Sequence, residues 1–284
     1  MAKGLSSRAR AALGGVALTL AVAPAVAQAP SPPTRVVSIA LCADQMLIAM
    51  ADPGQIASLS YRATDPAMSF YAAEAEAYPH AARSAESVVR LRPDLVLVDS
   101  ATPAATRDLL LRLGFHLADV DPVSTIDGAI TQIEALADLL GQQTRGMALA
   151  QLVASARFQA YDANWGLTAA YVRRRGFVAG ETELVSDILR VIGLNNAGDS
   201  LVGREGGYLT LEQLVATPPD FLIVPDTNPA VVDQGVAFLE HPALLQLFPP
   251  ERRVELPERL TACGGPSLPE AIRLLGSEFR RVRP

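Results

Sequence analysis

One stretch of this sequence occurs twice. Glu86-Ser-Val-Val-Arg-Leu-Arg-Pro93-Asp94-Leu-Val-Leu-Val98 returns as Glu212-Gln-Leu-Val-Ala-Thr-Pro-Pro219-Asp220-Phe-Leu-Ile-Val224, with the Glu, Pro, Asp and closing Val each displaced by 126 residues. Each copy opens a short helix with an acid and breaks it at Pro-Asp, because proline lacks the amide proton that a helix needs. Each then enters an apolar run suited to a buried strand. Helix-Pro-Asp-strand is a common α/β connection by itself. The glutamate standing seven residues before the proline in both copies favours two related lobes.

The rest of the chain alternates in the same way. Arg35–Ala40 reads as a strand feeding a helix over Ala43–Met50, Ile56–Leu59 as a strand, Ala85–Leu91 as a helix and Asp94–Val98 as a buried strand. Thr106–Leu113 then reads as a helix and Phe115–Val120 as a strand. Such alternation predicts a mostly parallel sheet with helices on its faces. From Ile126 the pattern changes. Ile126, Ile130, Ile133, Leu136 and Leu140 share one helical stripe, and after Gly141 a second helical stretch runs from Thr144 to about Ala163. So much helix without a strand is too long for an ordinary crossover, so the second helix is read as a connector between two α/β lobes. Alternation resumes with strands over Ala169–Val172, Phe221–Val224 and Arg253–Leu256, and helices over Leu184–Ile192, Leu211–Val215, Ala243–Leu247 and Leu268–Arg281.

The amino terminus carries a different pattern. Lys3, Arg8 and Arg10 precede an apolar run from Ala11 to Val22, and Ala25-Val26-Ala27 offers small residues at a cleavage point. This is the arrangement of a secretory leader, with an apolar run too short to span a bilayer comfortably. The expected division is a leader over 1–27, a disordered lead-in over 28–34, an N-terminal lobe over 35–141, a connecting helix over 142–165 and a C-terminal lobe over 166–284. No cysteine lies near the cleavage point to take a lipid. Removal of the leader takes three positive charges and changes the net charge from -6 to -9.

Composition excludes several functions. Lys3 is the only lysine of the chain. No lysine beyond residue 3 can form a Schiff base or complete a Walker A phosphate loop. The acidic balance, with no basic run beyond Arg173-Arg174-Arg175, argues against nucleic acid as a partner. No Gly-x-Ser-x-Gly elbow or His-Glu-x-x-His pair is present, so no catalytic residues are assigned.

The order of these pieces resembles the periplasmic substrate-binding proteins of iron-chelate and vitamin B12 ABC importers. The resemblance rests on the Arg35-Val-Val-Ser-Ile start, the two Glu-to-Pro-Asp segments, the helical middle, and Phe177-Val-Ala-Gly180 followed by a helix ending at Gly193. It implies two α/β lobes joined by one long helix, a periplasmic location, no enzymatic activity, no resident cofactor, and a monomer that carries a metal chelate (cobalamin or another corrinoid, a ferric siderophore, or haem) to a permease. In that family one surface glutamate of each lobe docks on permease arginines, and the corresponding residues are Glu86 and Glu212. A secreted two-lobed enzyme such as a chelatase, or a sensory binding protein, is the alternative reading.

In open α/β sheets the ligand lies beyond the carboxyl ends of the strands. That rule nominates Cys42 and Ala43 after the first strand, Tyr61 and Arg62 after the second, Thr102 after the third, Glu181 in the second lobe, and Cys263, Gly264 and Gly265 near the end. Tyr61 and Phe177 match positions where the family's B12 binder places aromatics. Arg83 and Tyr208 lie on the loops leading into the Glu-bearing helices. An aromatic with a polar tip offers large contact area, and arginine offers planar hydrogen bonding to carboxylates or phosphates. The two cysteines stand on opposite lobes, and three roles are open: a disulfide, which requires Cα atoms within about 7 Å and is expected to clamp the cleft shut, a ligand or metal contact, or plain small loop residues. His80, His116 and His241 are scattered without metal-ligand spacing, so no metal site is expected.

Overall fold

The first sheet gathers the expected alternation. β1 (Val36–Ser38), α1 (Leu41–Met50), β2 (Ile56–Ser60), α2 (Ala72–Ala75), β3 (His80–Ala81), α3 (Ala85–Leu91), β4 (Leu95–Val98), α4 (Ala104–Arg112) and β5 (Leu117–Asp119) follow one another, and the strands assemble in the order β3-β2-β1-β4-β5, all parallel. Two helices then run without an intervening strand: α5 (Ile126–Leu140) and α6 (Gln143–Ala160). Thr125 caps α5 by accepting from the Gly128 N–H, and Gly141 ends it in the left-handed region at φ 70°.

The second half contains β6 (Thr168–Tyr171), β7 (Phe177–Val178), α7 (Leu184–Val191), β8 (Asn195–Asn196), α8 (Gly198–Val202), β9 (Gly207–Tyr208), α9 (Leu211–Ala216), β10 (Phe221–Val224), α10 (Gln234–Leu239), α11 (Pro242–Leu247), β11 (Arg253–Glu255) and α12 (Leu268–Val282). Four of its strands form a parallel sheet in the order β11-β10-β6-β8, and β7 pairs with β9 antiparallel. This is a computed structural model that describes residues 31–226 and 234–282; the leader expected over 1–27 and the first part of the lead-in lie outside the described residues. The lead-in is held in place sooner than expected, since the Pro33 carbonyl accepts from Gln55 Nε2 at 2.8 Å.

The two copies of the repeat take the same three-dimensional form. Ser84 caps α3 by accepting from the Ser87 N–H, and Thr210 caps α9 by accepting from Gln213, whose side chain returns the bond. Each glutamate is therefore the second residue of its helix. At the other end the aspartates act as clamps. The Asp94 carboxylate accepts from the Thr34 N–H at 2.7 Å, its hydroxyl at 2.9 Å and the Arg35 N–H at 3.0 Å. Asp220 accepts from the Thr168 N–H at 2.7 Å and its hydroxyl at 2.8 Å. Each Pro-Asp step thus fastens the start of the neighbouring central strand, β1 or β6.

The repeat also preserves the strand faces: side chains alternate within each strand, and matched positions of the two copies point the same way. Leu95 and Leu97 of β4, like Phe221 and Ile223 of β10, enter one apolar cluster. Val96 and Val98 pack in a second cluster with Val88 of α3, and Leu222 and Val224 in a third with Leu214 of α9. The first cluster is common to both sheets, linked through α1, α5, α6, α7 and α12. From Pro32 onward the described chain is accordingly one compact unit.

Candidate functional site

A helix connecting parallel strands runs against their direction, so its first turn lies level with their carboxyl ends. Glu86 and Glu212, each in the first turn of the helix that leads into β4 or β10, therefore sit level with the rim where strand-end loops gather. The Glu86 side chain is 82% exposed beside Arg90, 3.8 Å away. Glu212 is also exposed, and its own backbone N–H and the Thr210 hydroxyl hold its carboxyl below the usual range.

The first sheet's rim is organised from beneath by a buried carboxyl. Asp44, in the first turn of α1, accepts from the Ser60 N–H at 2.9 Å and from its hydroxyl, which fixes the end of β2 just before Tyr61 and Arg62. Burial pushes Asp44 up to about 6, against the opposing pull of the Ser38 and Ser60 hydrogen bonds and of Arg83. Tyr61 is 55% exposed and Arg62 is exposed. Arg83 is committed to the fold: it donates to the Ile39 and Ala101 carbonyls and to Asp99, each at 3.3 Å, lacing the ends of β1, β3 and β4 together.

On the second sheet's rim, Phe177 and Tyr208 face each other across the β7–β9 pair with ring centres 5.3 Å apart, edge to face. Arg173, which follows β6, lies 4.7 Å from the Phe177 ring centre and pairs with Glu183 at 2.5 Å and Glu258 at 3.8 Å. The Tyr208 ring is 73% exposed. These contacts stiffen an aromatic ledge.

Several residues nominated from the sequence are placed elsewhere. Cys42, Ala43, Cys263, Gly264 and Gly265 are buried, and Thr102 is buried with its hydroxyl donating to Asp99, so none of the six presents a surface to a ligand. Cys42 lies in α1's first turn, not in a loop, and is bonded to Cys263 with the Cα atoms 5.3 Å apart. Of the three roles open for the cysteines the structure has the disulfide. The expectation that it would shut the cleft is corrected, because both cysteines are buried in the apolar cluster that the two sheets share and a groove lined from both sides stays open. Glu181 pairs with Arg204 at 3.3 Å and borders a separate depression near β8 with Arg190 and Asn195.

That groove, about 480 Å³, is bounded on one side by Pro66, Ser69, Phe70 and Glu74, beyond the end of β2, and on the other by Asp226 and Arg259, beyond the ends of β10 and β11. Arg259 pairs with Asp226 at 2.7 Å, and the Ser69 hydroxyl is buried without a partner among the described residues. The sequence reading missed all six. Applying the strand-end rule to β10 and β11, and following the loop after β2 past Arg62, would have found them. A larger cavity of about 650 Å³ lies beside β11, between Phe248, Arg253 and Leu274, and has no wall from the first sheet. Among the described residues no three His, Cys, Asp or Glu side chains converge to hold a metal ion.

The family model described as periplasmic binding protein matches residues 36–247. Sequence comparison with curated proteins finds no match. Among solved structures, the periplasmic heme-binding protein RhuT from Roseiflexus sp. RS-1 is 23% identical, with a TM-score of 0.68 over 87% of this chain and 98% of that one. The heme-binding protein BhuT, solved with two hemes, is 22% identical, with a TM-score of 0.71 over 89% and 99%. The vitamin B12 binding protein BtuF of Vibrio cholerae is 18% identical, with a TM-score of 0.68 over 89% and 98%. At these identities the likeness is one of fold.

Proposed function

This chain belongs to the periplasmic binding protein family, and on that footing we propose that it is the periplasmic receptor of an ABC importer, taking a metal chelate into the groove between its two sheets. The chelate is haem, a corrinoid such as cobalamin, or a ferric siderophore. The observation that carries this reading is the groove itself, walled by strand-end loops of both sheets, where open α/β folds bind ligands. Tyr61 and the Phe177–Tyr208 ledge supply aromatic surface on the two rims, and Arg62 and Arg259 supply guanidinium groups for peripheral acids of the ligand.

Delivery is assigned to Glu86 and Glu212. Two carboxylates held apart on a rigid body orient the receptor on paired arginines of a permease dimer, and salt weakens the attraction without abolishing it. Both are exposed: Glu86 lies beside Arg90 of its own helix, and Glu212 beside the Thr210 hydroxyl that caps its helix.

Titration with haemin, cyanocobalamin and ferrichrome, read by quenching of tyrosine and Trp165 fluorescence, is expected to give nanomolar to micromolar binding of one of them. Silence across all three overturns the ligand class. With the reconstituted permease, the Glu86→Arg/Glu212→Arg double variant is expected to lose stimulation of ATP hydrolysis while keeping its ligand affinity. Unchanged stimulation refutes the docking assignment.

A further inference from the structure

Glu86 and Glu212 stand on different lobes, on helices that pack into separate outer clusters: α3 through Val88, α9 through Leu214. Neither helix touches the other lobe through these residues. The separation of the two carboxylates is therefore set by whatever holds one sheet against the other.

Four observations describe that attachment. Cys42 of the first lobe is bonded to Cys263 of the second across 221 residues of sequence. The two glycines after Cys263 press against the first lobe: a Cβ on Gly264 would lie 2.1 Å from Val123 Cγ2, and one on Gly265, at φ 131°, would lie 3.0 Å from the Met46 thioether. Asp187 of α7 reaches across to accept from the Ile126 N–H at the start of α5, at 2.8 Å. One apolar cluster runs through all of these elements.

We infer that the Cys42–Cys263 disulfide is a rivet that holds Glu86 and Glu212 at one separation whether the groove is filled or empty. Both cysteines are buried, so the bond is a standing part of the fold, shielded from exchange with external thiols. Packing contacts and a hydrogen bond open and re-form in local fluctuations; the covalent link does not. The significance for transport rests on the docking role proposed above for the two glutamates, but the separation itself is measurable without a permease.

Spin labels on Arg90→Cys and Val215→Cys, exposed positions of α3 and α9, leave both glutamates intact. Pulsed electron paramagnetic resonance then reads the distance between the helices. With the disulfide present, one narrow peak is expected, unmoved by saturating haemin or cyanocobalamin. In the Cys42→Ser/Cys263→Ser background the distribution is expected to broaden at least twofold. Equal widths with and without the bridge overturn the inference. Should the serine variant fail to fold, the Cys42→Ala/Cys263→Ala variant takes its place in the same ligand-free comparison, and equal widths again overturn the inference.

Discussion

The two lobes are built from one plan and differ in a consistent place. Both read β2-β1-β4-β5 or β8-β6-β10-β11 across the sheet, both clamp the central strand with a Pro-Asp aspartate, and both start the following copy-bearing helix at a Ser or Thr cap with glutamate second. The difference lies in the segment just before that helix. In the first lobe it is β3, which joins the sheet beside β2; in the second it is β9, which leaves the sheet and pairs antiparallel with β7. What holds the glutamates is common, and what lines the groove is not. Beyond β2 the first lobe carries the exposed Tyr61 and Arg62; the second carries the Phe177–Tyr208 pair on its hairpin.

The helix after each central strand shows the same economy. α1 and α7 each carry an aspartate as their fourth residue. Asp44 turns inward to hold its own lobe's β2, whereas Asp187 reaches the other lobe at Ile126. One plan thus yields a local brace and a bridge.

The comparison can be broken most directly through the shared core. Leu97→Ala and Ile223→Ala occupy equivalent positions of β4 and β10, and each is expected to cost about 2–5 kcal/mol by urea unfolding. Because both side chains belong to one cluster, each variant should retain a single transition; two separated transitions would mean that the lobes fold as independent units.

Next in size is the pH dependence from Asp44. Its carboxyl is raised to about 6 by burial, so the proton is held more tightly in the folded than in the unfolded chain. The associated stability is complete below the unfolded value near 4 and drains as pH rises through about 6, a change of up to about 3 kcal/mol. Asp44→Asn should remove that slope from a series of unfolding curves between pH 4 and 7. Asp94 works in the opposite sense: some burial raises it, but the Thr34 and Arg35 donors outweigh this and hold it low, so its contribution is lost as pH falls.

The clamps come third. Asp220→Ala should cost about 2 kcal/mol and Asp94→Ala about 1 kcal/mol by the same unfolding measurement, since bonds to a charged acceptor count for more where water is excluded and Asp94 is the more exposed of the two. An equal cost would mean that exposure does not separate the copies. The smallest effect belongs to the residues proposed for docking: Glu86→Ala and Glu212→Ala should each leave the melting temperature within about 2 °C of the parent. A loss well above that would make them structural.

Much of the fold was legible because its longer elements carry their own signals. The repeat announced α3, β4, α9 and β10, the Ile126–Leu140 stripe announced α5, and the observed ends differ from the expected ones by a residue or a few. The two-residue strands β3, β7, β8 and β9 were illegible, because two residues hold no alternation. Of the nominated residues, Tyr61 and Arg62 follow β2 and are exposed, and Phe177 and Tyr208 pair across β7 and β9; none of the four lines the groove. Cys42 and Gly264 obeyed the strand-end rule and are buried, since sequence does not say which strand-end loops turn inward against the opposite lobe. The Ser69–Arg259 groove exists only where two loops far apart in sequence meet.

The Thr34–Asp94 clamp has a practical corollary. It lies at the amino edge of the first sheet, whereas Glu86 and the groove lie at the carboxyl edge. A tether placed beside this clamp starts from the edge of that sheet opposite Glu86 and the groove. Immobilised there, the protein would keep Glu86 and the groove clear of the support, which is what a surface-based binding assay needs.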